Sequence, residues 1–218
     1  MTGLKMEKMR KVELIENYLD SLYPNPKCEL NYSKDYELLI AVVLSAQATD
    51  KSVNLVTKVL FEKYKTIEEL KDATIEDIIS IIRPIGTYNR KAIYVHEIAD
   101  TLYYQYGGKV PSDRKMLESM PGVGRKVANV VLSEWFHEDN IAVDTHVDRV
   151  SKRLGLAKNS DSVLEVEKKL RKIYSKDTWS KRHLQMVLFG RYQCKSQKPL
   201  CEKCLLKSIC KKNQPFTG

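Results

Sequence analysis

The sequence of 218 residues has no apolar run long enough for a membrane-spanning helix, which needs roughly 18 or more consecutive apolar residues. Its first residues also lack the apolar stretch and the small-residue cleavage site of a secretory signal. Runs of alternating apolar and polar residues, which indicate half-buried strands, are missing as well. These absences argue against a helical membrane protein and a β-rich fold. We expect an intracellular, all-α protein that has no membrane partner.

Cysteine is scarce until the end of the chain. Of the five cysteines, one is Cys28, and the other four lie close together at Cys194, Cys201, Cys204 and Cys210. A secreted disulfide scaffold normally spreads its cysteines through a short chain, so this distribution argues against one. Four clustered thiols in a reducing compartment indicate a metal site instead. We expect the isolated Cys28 to be a small buried apolar side chain.

Acidic residues are outnumbered by basic ones. The 37 lysines and arginines exceed the 28 aspartates and glutamates, which gives a formal net charge of +9 at pH 7. A basic surface favours a polyanionic partner such as a nucleic acid. A soluble protein with no such partner can carry the same excess, so charge alone does not decide between the two.

Helical periodicity fills most of the sequence. Residues 10–24 carry apolar side chains at helical spacing, and residues 36–47 are apolar on all sides, which predicts a central buried helix. Two shorter segments each begin with a threonine, Thr66 and Thr74, that is followed three residues later by an acid. This is the pattern of a capped helix start, and it predicts two short helices.

The segment MPGVGRKVANVV, at residues 120–131, places a glycine-rich turn between two helical patterns. Gly122 and Gly124 permit a tight backbone, and the second helix is expected to begin near Arg125. The N–H groups at the positive end of a helix are a natural seat for a phosphate. The segment is therefore either a helix-hairpin-helix DNA clamp or an ordinary turn between two helices.

Lys126 and Asp144 are the candidate catalytic residues. The positive end of a helix disfavours a charged ammonium, so an amine at Lys126 would be neutral and nucleophilic more often than a surface lysine. Phosphate binding is the other role that this position allows. Asp144, in the segment VDTHV, is expected to begin a helix as its N-cap. Its carboxylate could also handle protons, and the two roles are compatible.

Four motifs together resemble the endonuclease III family of helix-hairpin-helix DNA glycosylase/AP lyases. They are LLIAVVLSAQATDKSVN at 38–54, MPGVGRKVANVV at 120–131, IAVDTHVDRV at 141–150 and the cysteine-rich tail. Their order is specific, and the similarity extends over nearly the whole chain. The resemblance implies an all-α fold with two domains. A six-helix bundle domain with the hairpin would span 28–138, and an iron–sulfur cluster domain would combine 1–27 and 139–218.

The same resemblance implies a bifunctional enzyme that acts on double-stranded DNA with a damaged base or an abasic site. Lys126 would form a Schiff base with the sugar, with Asp144 as its acidic partner, and β-elimination would then cut the strand. Relatives that only remove a base generally lack this lysine. The expected substrates are oxidised pyrimidines, and the expected process is base excision repair by a monomer.

Two further positions match family residues that fill the gap left by a flipped nucleotide. Gln47 stands where the family has a glutamine for this purpose. Thr87 stands where the family usually has an apolar wedge, and it is a departure because threonine is smaller and polar. A shallower insertion and a changed preference for the opposite base are expected from it.

The cysteine spacing is C-x6-C-x2-C-x5-C. Four thiolates within this length can surround either a zinc ion or a cubane cluster, and ligand chemistry alone does not choose. The resemblance implies a [4Fe–4S] cluster on Cys194, Cys201, Cys204 and Cys210. The expected role of such a cluster is to pin the loop so that its cations meet DNA phosphates.

Other residues complete the candidate site. The expected DNA contacts, besides the two gap-filling positions, are Gly122, Gly124, Arg125, His146, Arg191, Lys195 and Lys198. His146 could equally be a structural histidine. Glu118, just before the hairpin, is similar to a family residue near the active site, or it is a solvated helix acid. Arg149 and Lys152 are interpreted as part of a basic face.

Three alternatives remain open at this point. One is a mismatch thymine glycosylase or an alkylbase glycosylase of the same superfamily. A mismatch-directed adenine glycosylase shares this core and cluster but normally carries a long additional C-terminal domain. A non-catalytic DNA-binding module would use the same hairpin and charge, although the joint presence of Lys126 and Asp144 argues against it.

Overall fold

A computed structural model of the chain describes residues 3–213, and every regular element in that part is helical. The helices are α1 (Gly3–Leu22), α2 (Asp35–Leu44), α3 (Asp50–Lys63), α4 (Ile67–Lys71), α5 (Ile75–Ile82), α6 (Tyr88–Tyr106), α7 (Arg114–Glu118), α8 (Arg125–Glu134), α9 (Thr145–Arg153), α10 (Val163–Ile173) and α11 (Trp179–Tyr192). The predicted all-α class is confirmed. Within the described range, no helix combines the length and the apolar character that crossing a membrane requires.

The described chain divides into two compact units, each with its own apolar core. One unit is Cys28–Glu138, and the other combines residues 3–27 with residues 139–213. The Cys28–Glu138 unit contains seven helices, α2 to α8, where six are expected. The count of six follows from the family resemblance, and the seven observed helices include two of only five residues each, α4 and α7.

The core of the Cys28–Glu138 unit is built around α2. Nine of the ten residues of this helix are buried, as its predominantly apolar sequence predicts. Thr66 and Thr74 cap α4 and α5, since their side chains accept hydrogen bonds from the backbone N–H groups of Glu69 and Asp77. Both predicted helix starts are therefore confirmed. Cys28 is only partly buried against this core, so the expectation of a fully buried thiol is wrong in degree.

The second unit joins the first helix of the chain to its last ones. The Tyr18 ring of α1 packs edge-on against Phe189 of α11, with ring centroids 6.1 Å apart. The hydroxyl of Tyr18 also donates a hydrogen bond to the carbonyl oxygen of Lys203, at 3.2 Å. Asp20 accepts hydrogen bonds from Arg182 and Gln185, each at 2.9 Å. These contacts attach α1 to the segment that leads into the cysteine-rich loop.

Candidate active site

The first glycine of the hairpin between α7 and α8 is required by both its backbone angle and its packing. Gly122 has a φ of 74°, in the left-handed region. A β-carbon added there would lie 2.6 Å from Cδ2 of Tyr94, which belongs to α6. Both the backbone angle and the close approach of the ring require glycine at this position.

Gly124 is different, because neither its conformation nor its neighbours require a glycine. Its φ is −95° with extended ψ, which any residue adopts, and a β-carbon would meet no atom within 4 Å. Gly124 is the N-cap of α8, and no side chain caps the first N–H groups of that helix. The predicted helix start at Arg125 is confirmed, and its backbone is open to an approaching group.

Lys126 is the second residue of α8 and is partly buried. Its ammonium has no hydrogen-bond or ion-pair partner among the residues that the structure describes. Arg125, next to it, is exposed. The first turn of α8 thus presents a half-buried amine, without a neutralising partner, beside an unobstructed glycine.

Asp144 is the N-cap of α9, as predicted. Its Oδ1 accepts the backbone N–H groups of His146 and Val147, at 2.9 and 2.8 Å. Oδ2 has no hydrogen-bond partner within residues 3–213. One oxygen therefore serves the helix, and the other remains available for chemistry.

Arginines of α9 bind the start of the cysteine-rich loop. Nε of Arg149 donates to the carbonyl oxygen of Cys194 at 3.2 Å, and one of its terminal nitrogens donates to that of Gly190 at 2.7 Å. The same nitrogen lies 3.2 Å from Nδ1 of His146. Arg149 is therefore more than part of a basic face, because its guanidinium forms tertiary hydrogen bonds. His146, an expected DNA contact, has a partner inside the protein.

Arg153, one helical turn after Arg149, also binds the cysteine-rich loop. It donates to the carbonyl oxygens of Lys195 and Ser196, at 2.7 and 3.1 Å, and it lies 3.4 Å from Sγ of Cys194. Sequence reasoning missed this residue. Its only signal is the spacing of four from Arg149, which aligns the two arginines on one helix face.

The four clustered cysteines line one pocket, together with Leu154, which follows α9, Phe189 of α11 and the loop residues Pro199 and Leu200. Burial raises the pKa of the Cys204 thiol, and the other three cysteines add to the rise. Among the described residues, no three His, Cys, Asp or Glu side chains are grouped closely enough to hold a single metal ion. The structure therefore brings the four predicted cysteine ligands into one pocket, but it does not group them as a single metal ion would require.

Gln47 and Thr87 lie at the tips of two exposed turns of the Cys28–Glu138 unit. Both have left-handed backbones although neither is glycine, with φ values of 54° and 57°. The turns are neighbours, since a β-carbon at Gly86 would stand 3.8 Å from the carbonyl oxygen of Gln47. Nothing in the sequence signals these two backbone angles.

The remaining predicted residues occupy varied surroundings. Glu118 is exposed and forms an ion pair with Arg114, at 3.5 Å, which fits the solvated-acid alternative. Lys195 and Lys198 are exposed on the cysteine-rich loop, and Arg191 is partly buried near the end of α11.

Comparison with known proteins places this arrangement in a family. Residues 40–176 match the model of the HhH-GPD superfamily base excision DNA repair proteins. Endonuclease III of Bacillus subtilis is 46% identical over 209 residues, which cover 96% of this chain and 95% of that protein. A trapped covalent intermediate of an endonuclease III with DNA superposes with a TM-score of 0.89, at 47% identity and covering 98% of this chain and 97% of that one. A non-covalent endonuclease III–DNA complex gives a TM-score of 0.91 at 48% identity, covering 94% and 96% of the two chains.

Identity at this level over nearly the full length goes well beyond a shared fold. The family resemblance in the four sequence motifs is confirmed by it. The chain belongs to the HhH-GPD superfamily of base excision DNA repair proteins and, within it, to the endonuclease III family of DNA glycosylase/AP lyases.

Proposed function

We propose that this DNA glycosylase/AP lyase removes oxidised pyrimidines from duplex DNA with Lys126 as nucleophile and Asp144 as its acidic partner. The observation that carries the assignment of Lys126 is its place on the first turn of α8, half-buried, with no partner among the described residues and beside the open Gly124. A lysine whose role was structural would be expected to form a hydrogen bond or an ion pair.

The proposed reaction forms a bond between the Lys126 amine and C1′ of the deoxyribose. The damaged nucleotide leaves the base stack, and Nζ of Lys126 attacks C1′ while the bond from C1′ to the base breaks. The departing base takes up a proton, and ring opening gives a Schiff base between Nζ and C1′. Loss of a proton from C2′ then expels the 3′ phosphate, which cuts the strand by β-elimination. Water releases Lys126 from the sugar.

Asp144 would supply a negative charge and a proton acceptor beside the Lys126 amine. As the base leaves, positive charge develops on the sugar, and a carboxylate stabilises it. The unpartnered Oδ2 can also accept a proton from the attacking amine. The cap through Oδ1 holds the carboxylate in place while it does so.

An iron–sulfur cluster is the group that the family resemblance implies for the cysteine pocket. The four cysteines line this one pocket, and thiolates are the ligands that a [4Fe–4S] cluster takes. Cys194, Cys201, Cys204 and Cys210 would hold it. When bound, the cluster supplies four metal–thiolate links that order the loop.

The family assignment supports duplex DNA as the partner, and the residues supply the means to bind it. The open N-terminus of α8 suits a phosphate, and the exposed Lys195 and Lys198 add positive charge. Gln47 would fill the gap left by the flipped nucleotide, and Thr87 would press on the opposite strand. Because Thr87 is short and polar, its insertion would be shallow.

Borohydride trapping tests the central assignment. The enzyme is incubated with duplexes that carry thymine glycol, an abasic site, a T:G mismatch or an A:8-oxoguanine pair, and both strand cleavage and reduced covalent adducts are measured. We expect cleavage and trapping with the first two substrates. Strong activity on the T:G or the A:8-oxoguanine duplex instead would favour a mismatch glycosylase.

Two lysine variants complete the experiment. Lys126→Ala should lower strand cleavage by about a thousandfold or more, abolish trapping and leave binding to abasic DNA. Lys115→Ala, a change of an exposed lysine on α7, is the matched control and should behave like the parent. Equal trapping by Lys126→Ala and the parent would rule out Lys126 as the Schiff-base residue.

A further inference from the structure

Lys91 is a buried lysine that the proposed chemistry does not use. It lies on the first turn of α6 and exposes only 3% of its surface. Burial lowers the pKa of its ammonium. Across the described chain no carboxylate pairs with it, and its one side-chain hydrogen bond goes to the carbonyl oxygen of Ala46, at 2.7 Å.

This hydrogen bond connects the two exposed turns described above. Lys91 follows Thr87 by one helical turn, and its backbone N–H donates to the carbonyl oxygen of Thr87, at 3.1 Å. Its side chain reaches the peptide group that immediately precedes Gln47. Lys91 is thus bonded to the Thr87 turn through its backbone and to the Gln47 turn through its side chain.

The hydrogen bond from Lys91 to Ala46 lies directly before the left-handed backbone angle of Gln47. The Gln47 φ of 54° is unfavourable for a residue with a β-carbon, and such angles persist only where surrounding contacts impose them. Rotation about this angle would turn the Ala46–Gln47 peptide group. Fixing the carbonyl oxygen of Ala46 opposes that rotation. Breaking the bond would also leave a buried ammonium without an acceptor, which is costly.

We propose that Lys91 is a positioning residue that locks the Gln47 and Thr87 turns together, so that both side chains are preset for entry into the duplex when a nucleotide is extruded. The proposal rests on the gap-filling roles given to Gln47 and Thr87 under the proposed function. It predicts that loss of the lock impairs extrusion of a stacked base more than chemistry on a sugar that has already lost its base.

Single-turnover kinetics with two substrates test this proposal. Lys91→Met keeps the long buried side chain and removes the charge and the hydrogen bond. We expect it to slow base release from a thymine glycol duplex about tenfold while strand cleavage at a preformed abasic site stays within about twofold of the parent. Ile98→Val, a buried change on the same helix, controls for a general loss of stability. Lys34→Met controls for loss of a lysine-to-carbonyl hydrogen bond, since Lys34 donates to the carbonyl oxygen of Lys65.

The outcomes separate this proposal from the proposed function. A parent enzyme that releases no thymine glycol would contradict the function itself. An active parent with unchanged base release in Lys91→Met would overturn the positioning role. Equal losses on both substrates, or a matching loss in Ile98→Val, would assign Lys91 to general stability and overturn it as well.

Discussion

The Asp144 carboxylate accepts the backbone N–H of Val147 through Oδ1, at 2.8 Å, and leaves Oδ2 without a partner in the described part of the chain. Helix capping therefore uses one oxygen of this side chain and leaves the other for the proposed catalytic role. Asp144→Asn should keep the cap, because asparagine caps as well as aspartate does, and its stability should stay within about 0.5 kcal/mol of the parent. Turnover should fall by about a hundredfold or more, because the amide can neither accept a proton nor stabilise positive charge.

Asp144→Ala is the comparison for that variant. It should lose turnover and also about 1 kcal/mol of unfolding free energy, measured by urea denaturation, because the cap is gone. If Asp144→Asn lost as much stability as Asp144→Ala while remaining active, Asp144 would be a cap and nothing more.

The two hairpin glycines should respond in opposite ways to alanine. Gly122→Ala should lower the unfolding free energy by at least about 1–2 kcal/mol, because alanine is strained at φ 74° and its methyl group would overlap Tyr94. Gly124→Ala should leave stability unchanged or slightly higher but weaken binding to an abasic-analogue duplex. Denaturant unfolding and a binding titration separate the two effects. Undiminished DNA affinity in Gly124→Ala would show that no phosphate approaches this glycine closely.

Acid stability should depend on Asp20. Burial alone would raise the pKa of this carboxyl group, but hydrogen bonds from Arg182, Lys181 and Gln185 outweigh it and hold the pKa well below its ordinary value. A lowered native pKa contributes stability above the unfolded value of about 3.9 and loses it as the pH falls towards the native value.

Asp20→Asn should therefore cost about 1 kcal/mol at pH 7, a figure kept small because water screens a carboxylate that is more than a third exposed. The difference from the parent should shrink as the pH falls from about 5 towards 2. Glu62→Gln, at an exposed ion pair on α3, is the control and should show little change. A difference that stayed constant with pH would mean that Asp20 acts through packing rather than charge.

The exposed cations of the cysteine-rich loop should appear in the salt dependence of DNA binding. Lys198→Ala should weaken binding to damaged and undamaged duplex alike and reduce the slope of log affinity against log salt by about one. Lys58→Ala, which removes an exposed lysine paired with Glu62, should leave the slope unchanged. Loss of affinity for damaged DNA alone would point to lesion recognition at Lys198 instead of a phosphate contact.

Metal content checks the identity of the group in the cysteine pocket. Protein purified without oxygen should contain about four irons per chain and absorb broadly in the visible range. Cys201→Ser should lose iron and bind duplex DNA less tightly, because a missing ligand disorders the loop and its cations. Stoichiometric zinc without iron would refute the cluster. An iron-free Cys201→Ser variant with parental affinity and salt dependence would show that the group does not organise the binding surface.

Local sequence signals predicted the parts of the site that depend on neighbouring residues. The cap at Asp144 and the helix start at Arg125 follow from side-chain chemistry within a few positions, and both are confirmed. Residues that act across long separations could not be predicted in this way. Arg149 and Arg153 bind carbonyl groups more than 40 residues away, and Lys91 reaches Ala46 across 45. Only the packing of helices decides such contacts, so each of these residues has the sequence signature of an ordinary surface cation.

The attachment of α1 to the cysteine-rich loop has a consequence for synthesis on the ribosome. The Tyr18 hydroxyl and its acceptor on Lys203 are 185 residues apart, and Phe189 of α11, which packs against the Tyr18 ring, emerges nearly as late. At ~5–20 residues per second, α1 waits on the order of ten seconds with its apolar face uncovered, while the Cys28–Glu138 unit is already complete. The first helix to be made is therefore among the last to be buried.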